Sequence, residues 1–332
     1  MNATGGASAD PTARPELAVD LGRGLILANP VGLASGTAGF GFELRRLLDM
    51  DRIGALFSKG TGIHPRTGNA PPRLAETTAG LLNTIGLPNP GAEHVATVYA
   101  PEYSQWRIPV IINVIGATVE DYVSCVRRLD GVDGVAGFEL NISCPNVGHG
   151  LDFGRDPSAA AGLVAAVRGA TEMCVIVKLT PAASDIGAVA RAAEDAGADA
   201  ISAVNTFVGM KVNLDKRRPV LQAAGTGGLS GPAIKPLALA AVAAVRGQVA
   251  IPVIGIGGIT TTTDALEFFV AGANAVQVGT ATFSEPHAAI TIIDGIARYL
   301  QREGVTRVTD LRWSGFAAGS VPPAGIEPAS TG

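Results

Sequence analysis

The chain has 332 residues, 47% of them hydrophobic and only 16% charged, with a formal net charge of −4. That is apolar material for one large core, and the mild acidity excludes the basic footprint of a nucleic-acid or anionic-membrane binder. Three widely spaced cysteines form no disulfide framework and no C-x-x-C site; no signal-peptide core and no apolar run near the ~20 residues of a bilayer span is present, so a cytoplasmic protein is expected.

Residues 1–18 are small, polar and proline-bearing, and read as a flexible extension. Beyond them, short β-branched runs alternate with Ala-rich amphipathic stretches, the pattern of βα units around a parallel sheet. The first strand is expected near 30–34 and its helix near 43–50; the second pair lies near 55–58 and 91–100. The third follows near 109–114 and 119–129, the fourth near 137–143 and 157–170, and the fifth near 174–178 and 186–196. The sixth lies near 200–204 and 232–245, the seventh near 252–255 and 263–271, and the eighth near 275–279 and 287–302. The apolar stretch 237–245 is cut by Arg246 and reads as a buried helix. Eight such units predict an α/β fold, a single (β/α)8 TIM barrel over 19–304. The tail, 305–332, is expected to be poorly ordered, most of all after Trp313, where Gly, Ala, Ser and Pro dominate. Long insertions follow strands two (59–90), four (147–157) and six (205–231), at the strand ends where barrel enzymes keep their sites.

Polar residues gather at those same ends. Strand one runs into Ser35, Gly36 and Thr37, strand two into Lys59 and Gly60, and strand three carries Asn113. Strand four runs through Asn141 to Cys144 and Asn146; strand five ends at Lys178 and strand six at Val204, Asn205 and Thr206. Strands seven and eight end in Gly257-Gly258 and Gly279-Thr280, where a barrel's backbone N–H groups can cup a phosphate. A Walker A loop is absent, and Gly225-Thr-Gly-Gly-Leu-Ser-Gly231 ends a long loop instead of joining strand to helix, so a dinucleotide site is not expected. A mononucleotide such as FMN suits such a cup, and Lys178 can place a cation beside the flavin's pyrimidine edge; the alternative for Lys178 is a lysine with a buried stem paired with a neighbouring carboxylate.

Cys125 falls on a helix face and Cys174 starts a strand, positions of small buried hydrophobes. Cys144, just past a strand end between Ser143 and Pro145, can reach substrate and accept a proton, and the flanking Asn141 and Asn146 amides match a planar amide-like ring. His64, His94, His149 and His287 are scattered without metal or triad spacing, and no acidic pair stands at the strand ends.

Asn29-Pro-Val-Gly-Leu-Ala-Ser-Gly-Thr-Ala-Gly-Phe-Gly41 resembles the opening of class 1 dihydroorotate dehydrogenases. Lys59-Gly-Thr61, Pro65-Arg-Thr-Gly-Asn69, Asn83-Thr-Ile-Gly-Leu-Pro-Asn-Pro-Gly91, Asn141-Ile-Ser-Cys-Pro-Asn146, Gly227-Gly-Leu-Ser-Gly-Pro-Ala-Ile-Lys-Pro236 and Gly257-Gly-Ile259 follow in family order. The resemblance covers about Val19 to Leu300. It implies oxidation of dihydroorotate to orotate in pyrimidine (UMP) biosynthesis, with Cys144 as base for C5 and FMN receiving the C6 hydride. It implies that Lys59, Asn83, Thr84, Ile85, Gly86, Leu87, Asn141, Asn146, Asn205 and Thr206 hold substrate. It implies that Ser35, Lys59, Gly60, Asn113, Asn141, Lys178, Val204, Gly231, Gly257, Gly258, Gly279 and Thr280 hold FMN. Phe153-Gly154 and Asp156-Pro157 resemble the B type, whose partner subunit carries FAD and an iron–sulfur cluster and passes electrons to NAD, around a homodimeric core of a heterotetramer. Gly148 stands where that type often has lysine, and the tail after Trp313 matches no family pattern. The membrane-bound class 2 enzymes differ in using serine as base and an N-terminal membrane helix. Competing readings are a fumarate-linked class 1A enzyme, a dihydropyrimidine dehydrogenase, or a phosphate-binding barrel without activity.

Overall fold

In a computed structural model that describes residues 15–143, 153–221, 223 and 225–313, eight parallel strands close into a barrel. They are β1 (Val31–Leu33), β2 (Ala55–Phe57), β3 (Val110–Val114), β4 (Gly137–Asn141), β5 (Cys174–Lys178), β6 (Ala200–Ala203), β7 (Val253–Ile256) and β8 (Ala275–Val278). Each pairs with its neighbours in sequence, and β8 closes on β1. The strands are buried on both faces, by helices outside and by inward side chains within, so they read as continuous apolar runs instead of alternating ones.

Among the described residues six long helices surround the barrel: α1 (Val119–Leu129), α2 (Pro157–Arg168), α3 (Ile186–Asp195), α4 (Lys235–Arg246), α5 (Thr262–Val270) and α6 (Ala288–Glu303). Helix α1 begins at a capping box in which Thr118 accepts from the Asp121 N–H while the Asp121 carboxylate accepts from Thr118, and it buries Tyr122, Val126 and Leu129 on one stripe.

Two expected helices differ. The stretch 43–50 is not one helix but two 3₁₀ turns, Leu44–Arg46 and Met50–Arg52, because Asp49 is extended and its carboxylate accepts from the Asp51 N–H, starting a new turn. The helix expected at 91–100 continues to Tyr103 and widens into a π turn over Val95–Tyr99. Pro101 has no N–H to return to the preceding turn, and the ladder loosens just before it.

The folded unit also exceeds the expected limits of 19 and 304. The Glu16 N–H donates to the Thr306 carbonyl at 2.8 Å, Arg307 pairs with the Glu16 carboxylate at 2.7 Å, and the turn Val308–Leu311 buries Val308. Val19–Asp20 pairs with Ile26–Leu27 as a hairpin that plugs the N-terminal end of the barrel, with Leu21 and Leu27 against Phe57, Ile111, Ile176 and Ile254.

The insertions after β2 and β6 are not structureless. Leu74–Thr77, Gly80–Asn83, Gly227–Ser230 and Phe207–Gly209 form one antiparallel sheet beside the C-terminal mouth, in which Gly228 faces Asn83 and Phe207 faces Leu229. A side chain on Gly228 would stand 2.2 Å from the Thr206 hydroxyl, so only glycine permits this approach.

Leu21 is fully buried at the plugged end. Leu21→Ala is expected to lower unfolding stability by about 2–5 kcal/mol, the range for a leucine-sized core cavity. Urea unfolding of the variant checks this; a loss below about 1 kcal/mol would mean the hairpin is not part of the core.

Candidate active site

Alternate side chains of each strand point into the barrel. At the plugged end this inner column is apolar; in its middle it is polar, with Asn113 on β3, Glu139 on β4, Ser202 on β6 and Gln277 on β8, all buried. Glu139 organises the layer. Its carboxylate accepts from Asn113 Nδ2 at 2.7 Å, Ser202 Oγ at 2.8 Å and Gln277 Nε2 at 2.8 Å, and Lys178 Nζ lies 3.8 Å from Oε2. An isolated buried carboxylate costs several kcal/mol; three donors and a cation offset that cost. The amide oxygens of Asn113 and Gln277 have no partner among the described residues.

Above this layer the barrel opens into a cavity of about 720 Å³. Around it the strand ends contribute Ser35 from β1, Lys59 and Gly60 from β2, Asn113 from β3, Asn141 and Ser143 from β4, and Lys178 from β5. Val204, Asn205 and Thr206 follow β6, Gly257 and Gly258 follow β7, and Gly279 and Thr280 follow β8. The mouth sheet and its loop add Asn83, Thr84, Ile85, Gly86, Leu87 and Gly231. Cys144 and Asn146 lie outside the described residues; Ser143, the last residue before that gap, lines the cavity.

Hydrogen bonds fix the amides of this wall. Asn141 Oδ1 accepts from the Ser143 N–H at 3.2 Å and from Asn205 Nδ2 at 3.1 Å; Asn205 Nδ2 also donates to Ser143 Oγ at 2.9 Å, and its Oδ1 accepts from the Thr206 N–H. Asn83 Nδ2 donates to the Gly228 carbonyl at 3.0 Å, which joins the two insertions.

The described lining residues include four cations, Lys59, Arg66, Arg155 and Lys178, and no carboxylate. Burial pulls the Lys59 ammonium below its ordinary value; the Arg73 charge adds to this and Glu43 opposes it. The cavity therefore favours an anionic occupant.

At its far side the wall is nearly bare backbone. Gly257 and Gly258 have φ of 133° and 70°, and a side chain on Gly258 would meet Lys235 Cβ at 2.8 Å and the Gly231 carbonyl at 2.9 Å. Thr280 Oγ1 donates to Ser230 Oγ at 2.8 Å, tying the loop after β8 to the end of the insertion after β6. Such a cradle lets backbone N–H groups come close to a phosphate.

Comparisons with known proteins match this architecture. The family model for dihydroorotate dehydrogenase matches residues 18–300. The catalytic subunit of dihydroorotate dehydrogenase B (NAD(+)) from Pelobacter propionicus is 50% identical over 299 residues, covering 90% of this chain and 98% of that one. The corresponding subunit from Porphyromonas gingivalis is 48% identical, covering 88% and 95%. The chain belongs to the dihydroorotate dehydrogenase family. A crystal structure of the Eimeria tenella dihydroorotate dehydrogenase in complex with ferulenol superposes with a TM-score of 0.73 at 21% identity, covering 91% of this chain and 88% of that one, which shows the shared barrel.

Dihydroorotate dehydrogenases are flavin-dependent oxidoreductases acting on a CH–CH bond, and the glycine cradle and cationic wall fit a phosphate-bearing flavin. Three features of this family member escaped sequence reading. Glu139 sits mid-strand within an apolar run; the alternation Gly137-Phe-Glu-Leu-Asn141, with both polar residues at odd positions, was the available signal. Arg66 belongs to a motif but was not expected in the wall, and Arg155 had no motif to mark it. Cys125 and Cys174 are buried, and burial pushes both thiols up to about 12.

Removing the Glu139 carboxylate leaves Lys178 buried beside three unmatched polar groups. Glu139→Ala is expected to destabilise the fold by about 3–5 kcal/mol. Chemical denaturation measures it, and a change within about 1 kcal/mol of zero would show that the network contributes little.

Proposed function

We propose that this chain is the catalytic subunit of an NAD-linked dihydroorotate dehydrogenase that holds FMN and oxidises (S)-dihydroorotate to orotate for UMP synthesis. The observation that carries the reading is the cavity itself: four cations, no carboxylate among its described lining, and a glycine-rich cradle at the ends of β7 and β8. An anionic pyrimidine and a flavin phosphate are the two anions such a site can accommodate together, and relatives at 48–50% identity bear the B-type catalytic-subunit name.

In this reading Gly231, Gly257, Gly258, Gly279 and Thr280 hold the FMN phosphate. Ser35, Gly60, Asn113 and Val204 would hold the rest of the cofactor, and Lys178 would supply positive charge to its pyrimidine half. Bound flavin supplies the acceptor for the hydride leaving C6 of the substrate. Lys59 would meet the substrate carboxylate, and Asn83, Asn141, Asn146, Asn205 and Thr206 would orient its ring, with the backbone of Thr84 to Leu87 closing one side. Cys144, next in sequence after the cavity-lining Ser143, would take the C5 proton. The thiols of Cys125 and Cys174 are buried and protonated, and neither lines the cavity.

The purified chain is expected to be yellow with a flavin spectrum. Cys144→Ala should keep that spectrum but slow bleaching by dihydroorotate by about 10²–10⁴-fold, the contribution of a positioned general base. Stopped-flow absorbance decides: bleaching at the wild-type rate removes Cys144 from this role, and a colourless chain that binds no added FMN removes the function.

Electrons would leave through a partner subunit carrying FAD and an iron–sulfur cluster, with two copies of each chain in the complex. The chain shows no dinucleotide fingerprint of its own, and Leu74, Val208 and Phe283 line the cavity mouth while remaining 49%, 76% and 56% exposed. An apolar rim beside the cofactor suits a docking partner. No helix among the described residues is long and apolar enough to cross a membrane, and we place the complex in the cytoplasm. The isolated chain should turn over dihydroorotate with a dye but scarcely with NAD, and added partner subunit should restore NAD reduction. Steady-state assays with NAD, fumarate and dye test this; efficient turnover with fumarate alone would assign the chain to the class 1A enzymes.

A further inference from the structure

Two of the three chain segments proposed to cradle the phosphate meet without covalent continuity. One is the end of the insertion after β6, where Gly231 precedes Lys235, the first residue of α4. The other is the loop after β7, where Gly257 and Gly258 precede Thr260, Thr261 and α5. The segments come closest at Gly258, where a side chain would collide with Lys235 and the Gly231 carbonyl.

Two ion pairs, both made by Lys235, span the junction. Lys235 Nζ lies 2.7 Å from Asp264 Oδ1 and 2.8 Å from Glu267 Oε2, and it does not line the cavity. Asp264 Oδ2 accepts from the Thr260 N–H at 3.0 Å, Thr260 Oγ1 at 2.8 Å, the Thr261 N–H at 2.8 Å and Thr261 Oγ1 at 2.9 Å. Capping of α5 explains the Thr261 bonds, but it does not call for a lysine from another helix. Nor does α4 gain from a cation at its N-terminus, where the helix dipole disfavours one. Burial pushes the Asp264 carboxyl up, but the bonds from Lys235, Thr260 and Thr261 outweigh it and hold the group well below the usual carboxylate range. The hydrogen bonds to Asp264 and Glu267 raise the Lys235 ammonium. Both partners therefore stay charged through mild acid.

We infer that Lys235 and Asp264 are positioning residues, a clasp that holds the two segments of the phosphate cradle at their working separation. The clasp touches neither flavin nor substrate. It acts through Gly258 and Thr260, which line the cavity, and through Gly231. A cradle of backbone donors is effective only when the donors converge, and displacement by an ångström costs a large part of the binding they provide.

The inference rests on the flavin-phosphate reading, and the test separates the two. Apoprotein is titrated with FMN and with riboflavin, which lacks the phosphate, and the ratio of the two Kd values is read from flavin fluorescence. Wild type should bind FMN far more tightly than riboflavin. Lys235→Met should reduce that preference by about tenfold or more, with riboflavin affinity unchanged, and Lys235→Arg should restore most of it. Asp264→Asn keeps an acceptor for the α5 cap while losing the charge, and it should reproduce Lys235→Met if that variant fails to fold. Wild-type discrimination in both charge-removed variants overturns the clasp. Equal weakening of FMN and riboflavin also overturns it, since that would mean general loosening. If wild type does not distinguish FMN from riboflavin, the phosphate assignment fails instead.

Discussion

A carboxylate on the axis of a closed barrel has to find its donors from the strands around it. Glu139 does so from β3, β6 and β8, with Lys178 of β5 nearby, so one side chain draws on four other strands. The register of these strands cannot slip by one residue without turning its donors outward and leaving the charge bare. The polar floor of the cavity, the position of Lys178 and the height of the strand ends follow from this arrangement. The apolar column below, sealed by the Val19–Leu27 hairpin, isolates the network from water at the other end.

The site inverts the charge of the molecule that carries it. The chain bears a net −4, yet the described wall of the cavity carries four cations. Glu139 approaches the deepest of these, Lys178, from beneath, and no carboxylate stands among the described lining residues themselves. Half-buried Lys59 has lost part of its hydration, and burial pulls its ammonium below the ordinary value.

The barrel strands were legible because burial on both faces makes parallel strands conspicuous as short apolar runs, and α1 could be placed to the residue because its cap and stripe are local signals. The same conspicuous runs hid Glu139: a polar residue flanked by Phe138 and Leu140 reads as an exception within a strand, and only closure of the barrel brings Asn113, Ser202 and Gln277 around it. The mouth sheet was invisible for a different reason. Its strands are Gly-rich or short, and although Leu74–Thr77 and Gly80–Asn83 form a local hairpin, that hairpin joins Gly227–Ser230 far along the chain, so no local pattern announces the sheet. Glu43 to Met50 looked helical by composition, but the carboxylate of Asp49 restarts the turn. Most residues expected in the site could be located because strand ends converge on one mouth in any such barrel. Cys144 and Asn146 lie outside the described residues.

The pairing of Asn83 with Gly228 joins residues 145 positions apart. Closing so long a loop is entropically unfavourable until intervening units have folded and brought its ends together. The roof over the cavity is therefore a late structure, formed after the barrel wall that separates its two halves in sequence. A nascent or partly unfolded chain can possess most of its hydrophobic core and still lack a pocket able to enclose a small molecule. Enclosure of the pocket thus depends on both insertions meeting and not on the state of either one alone.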